Sequence, residues 1–487
     1  MKKEKAVFSK LEFFLLIFIL IFAFGVRLYK INRPIADWHS WRQADTAAVA
    51  RNFLKEGYTP FIPKYDDMSS QANGLDNPNR YRFVEFPIYN SLIYIVWSIT
   101  GVNETFARLV TVFISLGSTL ILFLLVKRLS GFITAILSAS FFSLLPYNIF
   151  YSSAILPGPL MVFAILGLYF SFLKWMDNDT NWYWGISSIL FANLAILTWP
   201  IALLFLFPVL YLSLEKYNLA IFKKANLWIF ALLAITPFIA WRFWMSNFPE
   251  GIPNWRFLLN EGNIRFKGAF FRWIIAERIG KLILTVAGFT LFIIGLLKKP
   301  LDKEKLFYYS WLISSAVYFV VFASGNVRHD YYQVPFVPIA AVFMAKGTLL
   351  LWNLPKEYFN RIIGAAISFV LILLILAFGY FEIRGYYWVN KPQIITAGKA
   401  VDRLLPKNAT VVAPYSGDAA FLYQTNRHGY PIVDRPLEKF VEEGTKYLVS
   451  VDVVDSGIQN LARHCKVIER NKDYVIVEMF KECIGKS

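Results

Sequence analysis

The chain has 487 residues, 57% hydrophobic, 18% aromatic and only 17% charged, with a formal net charge of +17. A water-soluble globule exposes more charge than this, and repeated apolar runs of about 20 residues point instead to a polytopic membrane protein. The basic excess forms no arginine stripe and no basic-aromatic interleaving. It therefore does not point to nucleic acid, and many of its members sit at the ends of apolar runs, where they set topology or meet anionic lipid.

In chain order, "MKKEKAVFSKLEFFLLIFILIFAFGV" opens with a basic, apolar segment that is not followed by a small-residue cleavage site, and reads as a retained first helix. Apolar runs then predict helices near 11–29, 106–126, 132–151, 157–174, 182–198, 200–215, 226–243, 279–297, 306–325, 333–352 and 361–381. A shorter run, "FPIYNSLIYIVWSITG" at 86–101, starts at a proline and ends at a glycine. Loop charges decide its status. Lys2, Lys3, Lys5 and Lys10 put the N-terminus in the cytoplasm. If 86–101 does not cross, the clusters Lys127/Arg128, Lys174, Lys216/Lys223/Lys224, Lys298/Lys299/Lys303/Lys305 and Lys356/Arg361 all fall inside. The expectation is thus about eleven spans, N-terminus in, with 86–101 lying in or dipping into the interface. On that topology a first loop 30–105, a loop 244–278, the turn "GNVRHDYY" at 325–332 and the tail from about 385 share the outer face.

The first loop is unusually polar. "SWRQ" fits a capping box, Ser40 accepting from the Gln43 amide and Gln43 reaching back, with a helix from Trp41 to about Glu56 stopped by Gly57. Asp45 lies beyond the first turn, with no capping duty. It reads either as a salt-bridge partner of Arg42 or Arg51, or as a reactive carboxylate. Asp37 and His39 precede the helix, in an approach expected to be less fixed.

After Tyr387 the tail loses its apolar character. Strand-like "TVVAP", "YLVSV", "KVIER" and "YVIVEMF" alternate with helix-like "ITAGKAVDRLL" and "PLEKFVEEG", which predicts a small α/β domain over 386–487 following a transmembrane domain over 1–385. Cys465 and Cys483 flank a hairpin there; they are either disulfide-bonded or two buried thiols.

Four patches carry a resemblance. They are "AVARNFLKEGYTPFIPKY" (47–65), "YRFVEFPIYNSLI" (81–93) with the segment that follows it, "RHDYYQVPFVPIAAV" (328–342) and "FLYQTNRHGYP" (421–431). In this order, and with this layout, the chain resembles the GT-C glycosyltransferases, most closely the branch of protein O-mannosyltransferases and the lipid A aminoarabinose transferase. It departs from them in two places. Aligned on Ala50–Leu54, Arg42 and Gln43 stand where the family usually carries an Asp-Glu pair, which leaves Asp45 and Asp37 as the available acids. Phe86, preceded by Glu85, stands where the family often has a lysine.

The resemblance implies a polytopic α-helical GT-C-like fold and a sugar donor carried on a polyprenyl phosphate at the outer face of the plasma membrane. Its acceptor is a lipid, glycan or protein. One carboxylate, Asp45 first and Asp37 second, deprotonates the acceptor in a single inverting displacement. Arg82, Lys64 or Arg328 holds the lipid phosphate as it leaves. His329, Tyr331, Tyr332, Glu85, His39 and Arg42 complete the candidate donor-binding set, although interfacial anchoring explains the tyrosines as well. No organic cofactor is called for. A divalent ion between Asp37 and Asp45 is compatible with the sequence, but nothing in the spacing demands it. The rival reading is a lipid-linked sugar transporter or flippase. Against it, the central parts of the eleven runs hold no ionisable residue; Glu12, Arg27, Arg108, Lys281 and Lys346 lie toward run ends.

Overall fold

A computed structural model describes residues 9–353 and 360–485. Lys2, Lys3, Lys5 and Lys356, used in the topology argument, lie outside the described residues. The chain divides into two units, one formed by 1–31, 109–242 and 255–385, the other by 32–108, 243–254 and 386–487.

The first unit is helical, and every apolar run folds as helix. Among the described residues six helices are long and apolar enough to cross a membrane: Glu104–Ser130, Gly158–Asp177, Pro200–Lys223, Ala225–Met245, Asp330–Trp352 and Arg361–Tyr387. A seventh is added if Gly268–Ile283 and Thr285–Leu296, which meet at a 110° bend, count as one span. The first helix, Lys10–Arg27, is capped by a Ser9–Glu12 box and carries charge at both ends. Phe132–Leu144, Trp182–Thr198 and Phe307–Val321 are shorter, the first two broken off at Pro146 and Pro200. Small residues bring backbones together: a Cβ on Gly295 would stand 1.8 Å from the Phe343 carbonyl oxygen, and one on Gly347 2.0 Å from that of Leu291. An apolar cavity of about 320 Å³ opens beside the bend, lined by Phe271, Ile275, Phe289, Phe292, Phe319 and Phe336 among others.

The second unit joins the polar first loop to the C-terminal region. Its five-stranded sheet runs β2-β1-β3-β5-β4, where β1 is Thr410–Val412, β2 His428–Tyr430, β3 Tyr447–Ser450, β4 Lys466–Arg470 and β5 Val475–Glu478. β1 is parallel to β2 and β3, while β5 is antiparallel to β3 and β4. The four strands and two helices read from sequence are present. β2 and the helices Ala420–Thr425 and Ser456–His464 were not expected. Cys465 and Cys483 are disulfide-bonded, inside a core with Val412, Phe440, Leu448 and Val477.

The first loop attaches to the free edge of β2. The Gly429 amide donates to Asp66 O (3.0 Å), and Gly429 O accepts from the Met68 amide (2.8 Å). A glycine is required at 429 by the close approach of β1, since a Cβ there would lie 1.8 Å from Val411 O. Helix Ile88–Thr100 has 13 residues. At about 1.5 Å per residue it reaches roughly 20 Å, short of the ~30 Å hydrocarbon layer.

Candidate functional site

The helix Ser40–Glu56 holds several of the polar residues of the first loop, Arg42, Gln43 and Asp45 among them. Alanines 44, 47, 48 and 50 are buried, so the helix packs closely on more than one side. It stops at Gly57, whose φ of 101° suits a residue without a Cβ. The expected capping box is not formed. His39 occupies the cap in the left-handed region (φ 54°), with no side-chain cap bond, and the Ser40 amide already donates to Asp37 O. Ser40 Oγ instead donates to Asp418 Oδ2 (2.8 Å), and Gln43 Nε2 to Asp37 Oδ1 (2.7 Å) and Trp38 O (3.1 Å).

Asp37 is not in a loose approach. It is buried, bound by Arg33 Nε (2.5 Å) and Gln43, with Arg108 at 3.5 Å. Arg108 in turn donates to Gln43 Oε1 (2.8 Å). Two arginines from opposite ends of the loop thus neutralise Asp37, which gives it a structural duty in tying those ends together.

Asp45 pairs with neither Arg42 nor Arg51. Arg82 Nη2 donates to its Oδ2 at 2.7 Å. Arg42 goes to both oxygens of Glu85 (2.6 and 2.8 Å), and Arg51 to Asp66. Arg82 also donates through Nη1 to Gln71 Oε1, and its guanidinium lies over the Tyr65 ring, 5.2 Å from the centroid. Arg82 Nε is buried without a partner among the described residues. Burial lifts the Asp45 carboxyl above the usual range despite the opposing pull of Arg82 and Arg42. Burial also pushes Asp67 up to about 7, its Oδ1 accepting from the Ser69 amide. Burial presses the same way on Asp66, but Arg51, His428 and Lys55 outweigh it and hold that carboxyl low.

The remaining candidates divide. Lys64 is partly exposed and faces Glu56 at 3.8 Å. His39 packs edge-on to Trp38. In the helical unit, Arg328 is exposed and paired to Glu261. His329 stacks beside Tyr331 and Tyr332, which are buried and also face Trp199. Sequence reading missed Asp330 in the same turn. It is buried, accepts from Tyr151 OH (2.5 Å), and has Arg278 at 3.5 Å. It also missed Tyr65, Asp66, Asp67 and Gln71, whose partners lie within the same loop, and Asp418, whose partner Ser40 lies 378 positions away. The "YDD" at 65–67, directly after the basic Lys64, was the available signal.

The carboxylates do not gather into a metal centre. Asp37 and Asp45 are each engaged by their own arginines, and among the described residues no group of three or more His, Cys, Asp or Glu side chains could hold an ion. What the arrangement offers is a buried carboxylate with a cation beside it.

Residues 84–244 match a family described as dolichyl-phosphate-mannose-protein mannosyltransferase. No curated protein matches the chain by sequence. Among solved structures, ArnT from Cupriavidus metallidurans bound to undecaprenyl phosphate is similar with a TM-score of 0.64 at 14% identity, over 96% of this chain and 98% of that one. The archaeal oligosaccharyltransferase AglB from Archaeoglobus fulgidus, in complex with an inhibitory peptide and a dolichol-phosphate, gives 0.53 at 12% identity over 92% and 70%. Arabinofuranosyltransferase AftD from Mycobacteria gives 0.56 at 12% identity over 94% and 41%. At such identities the likeness is one of architecture, and it extends over nearly the whole chain: this protein has the GT-C membrane fold.

Proposed function

We propose that the chain is a membrane glycosyltransferase that moves a sugar from a polyprenyl-phosphate donor to a lipid, glycan or protein acceptor at the outer face of the plasma membrane. The observation that carries this is the Asp45–Arg82 pair: a buried carboxylate on the first helix of the polar loop, lifted in pKa and held by one arginine. The fold supports the same reading, as do the neighbours solved with undecaprenyl phosphate and dolichol-phosphate.

In the reaction the acceptor O–H or N–H gives its proton to Asp45 as oxygen or nitrogen attacks the anomeric carbon. The bond from that carbon to the phosphate oxygen breaks on the opposite face, and its electron pair leaves with the lipid phosphate. One displacement inverts the configuration and needs one base, because a phosphate leaves without a general acid. Arg82, with an unspent Nε donor, is the first candidate to meet the leaving charge, and Arg328 and Lys64 are the others. The transferred sugar is a hexose or a pentose. Asp37, bound on all sides, ranks below Asp45 as base.

Transfer chemistry distinguishes this reading from a flippase. Reconstituted protein should consume polyprenyl-phosphate sugar from a panel of hexose and pentose donors and release polyprenyl phosphate. Asp45→Asn keeps side-chain size and removes the charge. It should lower turnover at least about a hundredfold while donor binding survives. Donor translocated but never consumed would replace the transferase reading with the flippase one.

A further inference from the structure

The candidate base touches one cation, and that cation is itself held by two side chains that no part of the mechanism uses. Arg82 has a long side chain with many rotamers, so an ion pair to Asp45 alone would leave the guanidinium plane free to turn. Tyr65 and Gln71 remove that freedom in two directions. The Tyr65 ring, 1% exposed, lies under the guanidinium, and the Gln71 carboxamide accepts from Nη1 at its edge. The other end of the same carboxamide is engaged by the Tyr65 hydroxyl and by Ser69 O at 3.4 Å. Gln71 thereby links the platform to the arginine.

Gln71 sits in "MSSQANGLDN", which reads as a solvated linker but is firmly fastened. Its carbonyl accepts from the Asn254 amide (3.1 Å), and Asn73 Nδ2 donates to Pro249 O (3.0 Å) and Ile252 O (2.9 Å). Ala72 and Gly74 take left-handed φ angles of 55° and 81°, which fold the segment back on itself. This construction is more than chain connection requires.

We propose that Gln71 and Tyr65 are positioning residues that act on Asp45 through Arg82, fixing both the direction of the base and the strength of the field it feels. This rests on the reading of Asp45 as the base. The charged and titratable groups facing Asp45 are Arg42 from its own helix, Tyr65, Asp66, Asp67, Arg82 and Glu85 from the rest of the first loop, and Asp418 from the C-terminal region. Arg82 makes the ion pair, so its placement dominates their sum.

The test uses full-length protein in vesicles, with kcat, donor KM and the pH profile as readouts. Gln71→Met keeps volume and loses the amide. Tyr65→Leu loses the stacking face, whereas Tyr65→Phe keeps it. Gln71→Met and Tyr65→Leu should each lower kcat about tenfold, and the acidic limb of the kcat profile should move up by about one pH unit, because a less well placed Arg82 lowers the Asp45 pKa less. Tyr65→Phe should stay much nearer wild type. Adding Gln71→Met to Asp45→Asn should cost nothing further. Wild-type kcat and an unmoved limb in folded Gln71→Met and Tyr65→Leu would overturn the proposal, as would an activity loss matched by lost folded protein with the limb in place. If Asp45→Asn itself retains turnover, the base assignment has failed, a result distinct from unchanged Gln71→Met activity beside an inactive Asp45→Asn.

Discussion

At the scale of single residues, the buried charges of the second unit differ in what they are free to do. Asp37 is bound by Arg33, Gln43 and Arg108, whereas Asp45 has one arginine in an ion pair and a raised pKa. Arg82 and Arg328 give contrasting expectations. Removing a charged hydrogen bond to phosphate costs about 1.5–3 kcal/mol, which is roughly ten- to a hundredfold in donor affinity. Arg82→Ala should show this loss together with a fall in kcat, because it also frees Asp45; Arg328→Ala, if Arg328 meets the phosphate, should show the affinity loss alone. Donor saturation curves measured on both variants check it. Asp67 gives a stability prediction. Its folded pKa of about 7 lies above the ordinary 3.8, so the folded state binds this proton more tightly than the unfolded one. The resulting stabilisation is fully present below about pH 4 and is lost as pH rises through about 7. Asp67→Asn removes the dependence and keeps an acceptor for the Ser69 amide. Its melting temperature in detergent should exceed that of wild type by more at pH 8 than at pH 5, with a free-energy gap of at most about 4 kcal/mol at about 1.4 per pKa unit. An equal difference at both pH values would assign the cost to something other than this proton.

At the scale of elements, the sequence was informative wherever a local rule governed. The helix ending at Gly57, the apolar helices and the strands Lys466–Arg470 and Val475–Glu478 follow from patterns a few residues long. The failures have a common cause. Ser40 and Gln43 match a capping box by spacing, but their side chains are taken up by Asp418 and Asp37 instead of the helix end. Of the two readings of Asp45, the salt bridge to a neighbour on its own helix is not formed; its partner is Arg82, 37 residues on. β2 is three residues long, too short for an alternating pattern to register. The disulfide lends itself to a local test. Cys465 and Cys483 are 18 residues apart, and a loop of about that size is worth roughly 3 kcal/mol. Replacing both by Ser should weaken the sheet region by up to this amount and leave the membrane helices in place, which limited proteolysis under reducing and oxidising conditions would resolve.

At the scale of the whole molecule, the number and direction of spans follow from charge placement more than from helix length. Several helices are individually short, and the 110° bend divides one apolar stretch in two. Eleven spans with an inner N-terminus, an outer C-terminus and helix Ile88–Thr100 non-crossing remain our proposal. Reporters fused after Ser487 and inserted at Gly101 should both report the outer side; a cytoplasmic signal from either would require a different count.

The pairing of the first loop with the last hundred residues bears on how the protein is made. Ser40 and Asp418 are 378 positions apart, and Arg51 donates to the Tyr423 carbonyl across 372. During synthesis the loop carrying Asp45 leaves the ribosome early, yet its partners on β2 and the loop before Ala420 emerge only near the end. In that interval Asp45 already has Arg82, Asp37 has Arg33 and Arg51 has Asp66, whereas Ser40 Oγ and the remaining Arg51 donor have only water. A chain stopped between Tyr387 and Asp418 therefore carries every apolar helix among the described residues, while Ser40 and Arg51 still lack these two late partners.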